Sequence, residues 1–143
     1  MERSFIIFRL SGFNRNLRNE IKKGKKIYFY DNGVRNAVIN NFNQIGLRDD
    51  VGKLWENFLV SERIKANAYH SNFCKSYFWR THAQQELDYL EEKNGQFFSY
   101  EFKWNENKKV KFPSNFVETY HPTVQKVINK ENFHEFVIYR NEN

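Results

Sequence analysis

The chain has a single cysteine, Cys74, among its 143 residues, so it cannot close an internal disulfide. A small domain without disulfides relies on its core and suits a reducing compartment. A lone cysteine of this kind reads as an inert, small hydrophobe. Two prolines and six glycines are too few for a long flexible linker. No apolar run approaches the roughly 18 residues that a membrane span needs. The opening stretch "MERSFIIFRLSGF" has too short an apolar segment for a signal peptide and no small-residue cleavage site. Together these absences predict a cytoplasmic chain with no membrane segment. His70, His82, His121 and His134 show no paired ligand spacing, which speaks against zinc. No G-x-x-x-x-G-K-[ST] occurs, so no P-loop ATP site is expected.

Aromatic residues are abundant. Fifteen Phe, eight Tyr and three Trp can fill the core of one domain. Net charge is +6, and it is unevenly placed. Residues 1–48 carry ten Lys/Arg against three Asp/Glu, whereas 49–143 carry 13 against 14. Such a basic segment suits an anionic partner, nucleic acid first, although it also serves solubility. The candidate contacts are Arg15, Arg18, Lys22, Lys23, Lys25 and Lys26, with Lys108, Lys109 and Lys111 further on.

Strands are expected over 4–10, 26–31, 75–81 and 124–129, and a short basic helix from Asn14 to Gly24. "NGVRNAVINNF" reads as a turn and a short helix. A longer helix starts near Asp49, with Val51, Leu54, Trp55, Phe58 and Leu59 at helical spacing. Asp49 and Asp50 suit its positive end. "PSNFVETYHP" reads as another helix, and "ENFHEFVIYR" as a helix or turn followed by a strand. From Val51 the order is helix, three strands, helix, strand: an α/β sandwich around a mixed sheet.

The stretch "ELDYLEEKNGQFFSYEFKW", residues 86–104, carries the chemistry. Asn94-Gly95 signals a two-residue type I′ hairpin. That turn sets Asp88 opposite Glu101, Glu86 opposite Lys103, Tyr89 opposite Tyr100 and Leu87 opposite Phe102. Residues two apart share a face. The charged four should therefore project together, and Leu87, Tyr89, Tyr100 and Phe102 should build core. Opposed Cβ atoms lie roughly 5 Å apart. Two carboxylates there repel by about 3 kcal/mol at an effective dielectric near 20. Lys103 offsets part of that, and a divalent cation would offset the rest. The plain alternative is a solvated polar face in which Glu86 neutralises Lys103.

An Asp on one strand and Glu101-Phe102-Lys103 on the next resembles the PD-(D/E)XK nuclease superfamily, with Leu87 where the name-giving proline would stand. "KIYFYDNGVRNAVI", "GKLWENFLVSE", "YFWRTHAQQELDYLE" and "YEFKW" resemble, more closely, the C-terminal domain of a bacterial and archaeal family of P-loop AAA-type ATPases. That domain is of unknown function and assigned to the restriction-endonuclease-like fold. The resemblance implies an α-β-β-β-α-β core with a mixed central sheet flanked by helices over residues 49–143. Residues 1–48 become a basic N-terminal extension, of which 1–12 would be the tail of a winged-helix connector. The ATPase module lies outside this chain.

The resemblance further implies Mg²⁺ or Mn²⁺ held by Asp88, Glu101 and a helix acid, with Lys103 as the catalytic lysine. Glu56, in the pattern Gly52-x-x-x-Glu56, matches the helix acid of resolvase-like nucleases. On a helical wheel, however, Glu62 lies about 20° from Val51 and Glu56 about 140°, so both remain open, with Glu56 favoured. Gln84 and Arg80 are further candidates for contact with a phosphate or water. Expected partners are nucleic acid, DNA first, and the ATPase module; pairing with a second copy of the chain stays open. The competing class is a catalytically inactive module that binds DNA or protein.

Overall fold

In the computed structural model, residues 6–15, 17–21 and 24–138 are described. Along the chain come β1 (Ile7–Gly12), β2 (Lys25–Phe29), α1 (Asn32–Val38), α2 (Val51–Tyr69), β3 (Lys75–Arg80), β4 (Glu86–Lys93), β5 (Gln96–Phe102), α3 (Ser114–Tyr120), β6 (Val124–Ile128) and α4 (Phe133–Val137). A single 3₁₀ turn, Ile45–Leu47, precedes α2. The six strands form one mixed sheet in the order β2-β1-β3-β4-β5-β6. β1 pairs with β3, and β5 with β6, in parallel; the joins β2–β1, β3–β4 and β4–β5 are antiparallel. The mixed α/β sandwich expected from the sequence is what forms, and the first strands lie in the same sheet as the rest.

The hairpin closes on Asn94 (φ 52°) and Gly95 (φ 75°), both in the left-handed region that a type I′ turn demands. Its ladder runs from Lys93↔Gln96 to Tyr89↔Tyr100 in the expected register. On the other side of β4 the register slips by one. Tyr77 pairs with Leu90 but Trp79 with Leu87, so Asp88 and Tyr89 together face Phe78. This β-bulge turns Leu87 over. Leu87 and Leu90 pack with Phe13, Trp79, Phe97, Phe116 and Tyr120. Tyr89, Tyr100 and Phe102 pack with Trp55, Leu59 and Phe136 on the opposite face. The expectation that Leu87 shares a face with those three is thus corrected, because an extra residue in one strand reverses the alternation beyond it.

The basic helix expected at Asn14–Gly24 does not form among the described residues of that segment. Its backbone is bonded elsewhere: Gly12 N–H to Gly24 O (3.1 Å), Ile21 N–H to Arg80 O (2.9 Å) and His82 N–H to Asn19 O (2.8 Å). Glu20, fully buried, accepts from the N–H groups of Arg15 (2.9 Å) and Leu17 (3.3 Å) and from the Tyr120 hydroxyl. A carboxylate that organises a loop in this way competes with helix formation. The strand expected at the C-terminus lies mostly outside the described residues.

Candidate functional site

Helix α2 docks on β2 through Asn57. Its side-chain amide reads the Phe29 backbone as a neighbouring strand would, accepting from N–H (2.8 Å) and donating to C=O (3.0 Å). Asp50 stands at the helix N-cap but makes no capping bond. It takes Arg35 (3.0 Å) and Arg48 (2.7 Å) instead. Glu56, one residue before the Asn57 clamp, therefore faces β2.

Asp88 sits in the bulge, and Oδ2 accepts from the Phe102 backbone N–H (2.8 Å). Bulges re-aim side chains in this way. Glu101, only 7% exposed, hydrogen-bonds the Asp88 carboxyl and accepts from its backbone N–H. Burial, and then the Asp88 charge, push the Glu101 carboxyl up to about 9, while Lys103 draws it down. A proton thus does what a counter-ion would: at neutral pH Glu101 holds it rather than face Asp88 as a second anion. Lys103 follows the last residue of β5, and its own N–H continues the ladder to Ile128 O (2.9 Å).

Glu56 and Glu86 form a second centre. Lys26 Nζ lies 3.1 Å from Glu56 Oε1 and 2.6 Å from Glu86 Oε1. The Tyr28 hydroxyl donates to Glu56 Oε1 (2.9 Å), and Arg80 reaches Glu86 at 3.3 Å. Burial pushes Glu86 up, but Lys26 and Arg80 outweigh it and hold the carboxyl below its usual range. Burial, then Glu56 and Asp88, raise the Tyr28 phenol strongly, which keeps it a donor. A cleft of about 430 Å³ opens here, lined also by Arg35 and Lys53.

The four residues proposed for catalysis therefore fall into two neighbouring groups. Asp88, Glu101 and Lys103 come together; Glu56 joins Lys26 and Tyr28. Glu86 pairs with Lys26 and Arg80 rather than Lys103; the β4–β5 ladder ends at Tyr89↔Tyr100, short of both. Glu62 points outward and pairs with Lys65 (2.9 Å). Among the described residues, no three His, Cys, Asp or Glu side chains stand close enough to hold a metal ion together.

Of the proposed nucleic-acid contacts, Arg15 pairs with Glu92 (3.0 Å) and Lys26 with the two glutamates. Arg18, Lys25, Lys108, Lys109 and Lys111 are exposed, and Lys22 and Lys23 lie outside the described residues. Gln84 is exposed at the turn before β4. Cys74 is half-buried, its thiol pushed up to about 11 by burial and by Glu91, which fits an inert role.

Sequence reasoning missed Lys26 and Tyr28 as partners of the helix acid, since contacts 30 and 28 residues apart leave no local signal. It also missed the bulge. A signal was present: "LDYL" places Tyr89 and Leu90 side by side, which breaks strict alternation.

Fold and site together define a mixed α/β domain in which the buried Glu101 meets the half-buried Asp88 at the open end of a hairpin. The chain belongs to the DUF4143 family, a domain of unknown function, matched over residues 51–143. Residues 1–45 match a second domain of unknown function, DUF8612. No curated protein and no solved structure matches the chain. No helix among the described residues is long and apolar enough to cross a membrane.

Proposed function

We propose that this is a PD-(D/E)XK nuclease-like domain that acts on DNA with Mg²⁺ or Mn²⁺, beside an AAA-type ATPase module. The observation that carries this reading is Glu101, buried against Asp88 and short of counter-charge. Perturbed, poorly compensated carboxyls cluster at functional sites. The donor set fits the cation: hard ions take oxygen ligands, and Mg²⁺ commonly uses one or two carboxylates and keeps several waters. When bound, the cation supplies Lewis acidity toward a phosphoryl oxygen and a nearby water.

The chain's own residues do the rest. The Phe102 N–H fixes the Asp88 carboxylate. Glu101, its proton passed to solvent, would stand beside Asp88 as a second carboxylate able to hold the cation. Lys103 then steadies the negative charge that develops on the phosphoryl group. DNA is held by the exposed cations Arg18, Lys25, Lys108, Lys109 and Lys111, and affinity falls as salt rises.

One observation favours a second reading, a binding module without turnover: Glu56 is engaged by Lys26 and Tyr28 rather than by the pair. Thermal melts and cleavage of labelled duplex DNA separate the two. The nuclease reading expects Mn²⁺ to raise the melting temperature and support cleavage, with Asp88→Asn abolishing both. A ligand at a hundred times its Kd stabilises by about 2.7 kcal/mol. DNA binding with no Mn²⁺ effect on melting or cleavage would establish the binding module.

A further inference from the structure

We infer that an aromatic groove between α2, the end of β5 and the start of α4 takes an unpaired nucleobase, so that the nucleic acid this chain acts on carries a single-stranded stretch. The inference rests on the proposed nucleic-acid reading and deepens it by naming the form of the substrate.

Three observations carry it. First, the groove is an aromatic box. It holds about 340 Å³, enough for a small ligand, and Trp55, Phe58, Trp104 and Phe133 line it. Trp104 and Phe133 both stand at 75° to the Trp55 ring, with centroids 5.2 and 5.3 Å away, and Phe58 lies nearly parallel to it at 5.7 Å. Trp55 is buried, but the other three are only half-buried and keep part of their surface open. Aromatic surface of this kind takes the π-face of any base. The Trp55 indole N–H is buried without a hydrogen-bond partner among the described residues. A base carries acceptors at its edge, which an aliphatic side chain of a protein partner does not.

Second, the rim is cationic. The Lys130 ammonium lies over the Trp104 ring, 5.0 Å from its centroid, and the side chain is 41% exposed. Its partner Glu106, at 3.3 Å, brings the 105–108 turn to the same rim, and exposed Lys108, Lys109 and Lys111 stand in and after that turn. Rings beside cations are the pairing that holds a single strand: the charge tracks the phosphates and the rings take the bases. An uncharged apolar partner gains nothing from that charge.

Third, the groove adjoins the proposed site. Trp104 directly follows Lys103, one Cα step of about 3.8 Å. The Lys103 N–H bonds Ile128 O (2.9 Å), and Lys130 stands two residues further on. A base seated against Trp104 therefore brings its sugar-phosphate link into the neighbourhood of Lys103. Seating a base from within a duplex costs unpairing and unstacking, and a base that is already unpaired avoids that cost.

Binding in metal-free buffer tests this, with tryptophan fluorescence reporting on the groove and the anisotropy of labelled strands giving affinities. Two of the three tryptophans line the groove, and the third, Trp79, is fully buried in the other cluster. The probes are a short oligothymidylate, its abasic counterpart with the same phosphates, and a blunt duplex of the same length. The oligothymidylate should quench the emission and bind at least about fivefold more tightly than the abasic strand, the lower end of what stacking one base contributes. The duplex should quench no more than the abasic strand does. Trp104→Leu keeps an apolar side chain but removes the ring; it should lose the preference yet hold the abasic strand as wild type does. Trp104→Phe should keep most of the preference. Should Trp104→Leu fail to melt cooperatively, Phe133→Leu takes its place. Equal affinity for intact and abasic strands, or a preference that survives in Trp104→Leu, overturns this inference alone. Self-association of the free protein that Trp104→Leu abolishes assigns the groove to a second copy and overturns it as well. Absence of binding to all three probes overturns this inference and the nucleic-acid reading together.

Discussion

Two glutamates of one hairpin are buried and meet opposite fates. Glu91 on β4 is 3% exposed, and Glu101 on β5 is 7% exposed. Glu91 is fully partnered. Arg63 bonds both its oxygens (3.0 and 2.7 Å), Asn67 donates at 2.7 Å, and the Tyr89 hydroxyl at 2.9 Å. Burial pushes Glu91 up, but these bonds outweigh it and hold the carboxyl below its usual range. Glu101 has Asp88 for a neighbour, and its carboxyl is raised. Equal burial therefore does not mean equal purpose. A buried anion that accepts from Arg63, Asn67 and Tyr89 ties α2 to the sheet, whereas one whose neighbour is another acid keeps a proton.

The sharpest way to break this comparison is to unpair Glu91. Arg63→Ala leaves a buried, uncompensated carboxylate and should cost about 3–5 kcal/mol in denaturant unfolding. Glu101→Gln should leave stability at neutral pH equal or higher, because Gln mimics the protonated acid. Equal losses in the two variants would show that both glutamates are structural.

A smaller effect lies in the pH dependence. The folded-state value of Glu101 is raised from 4.5 to about 9. Its contribution is therefore fully present below about 4.5 and lost as pH climbs toward 9. Glu91, whose value is lowered, contributes above its unfolded value and is lost as pH falls through its folded one. Melts across pH should show Glu101→Gln flattening the alkaline limb alone. A flattened acid limb in that variant would reverse the assignment.

The smallest stability change is expected at Lys103. This partly exposed lysine acts on Glu101 through charge, so Lys103→Ala should destabilise the metal-free protein by less than about 1 kcal/mol. The Mn²⁺-induced shift in melting should persist while cleavage is lost. Retained cleavage would remove Lys103 from the chemistry.

What could be read beforehand follows the range of the interactions. Asn94-Gly95 is a local instruction, and it sufficed for the turn and the register of β4 with β5. The bulge depends on β3 meeting β4, so the faces of Leu87 and Glu86 were misjudged. The helical wheel for α2 was anchored on Val51, which is only half-buried; the acid placed at its centre, Glu62, turns to solvent, and its neighbour Arg63 turns inward. Composition made Asn14–Gly24 a basic helix, although the one acid in it, Glu20, is what shapes the segment. Its partner Tyr120 lies 100 residues away, beyond any local pattern.

The strand order has a consequence for solubility. Among the described residues, β2 and β6 each have a strand neighbour on one side only. Such rims are templates on which another chain can add a strand, and proteins blunt them with charge, lysine above all. Exposed Lys25 stands at the start of β2 beside the bare side chain of Ile27, and Lys126, 41% exposed, lies within β6. Part of the basic character that first suggested an anionic partner thus also guards the open borders of the sheet, discouraging one copy from zipping onto the next.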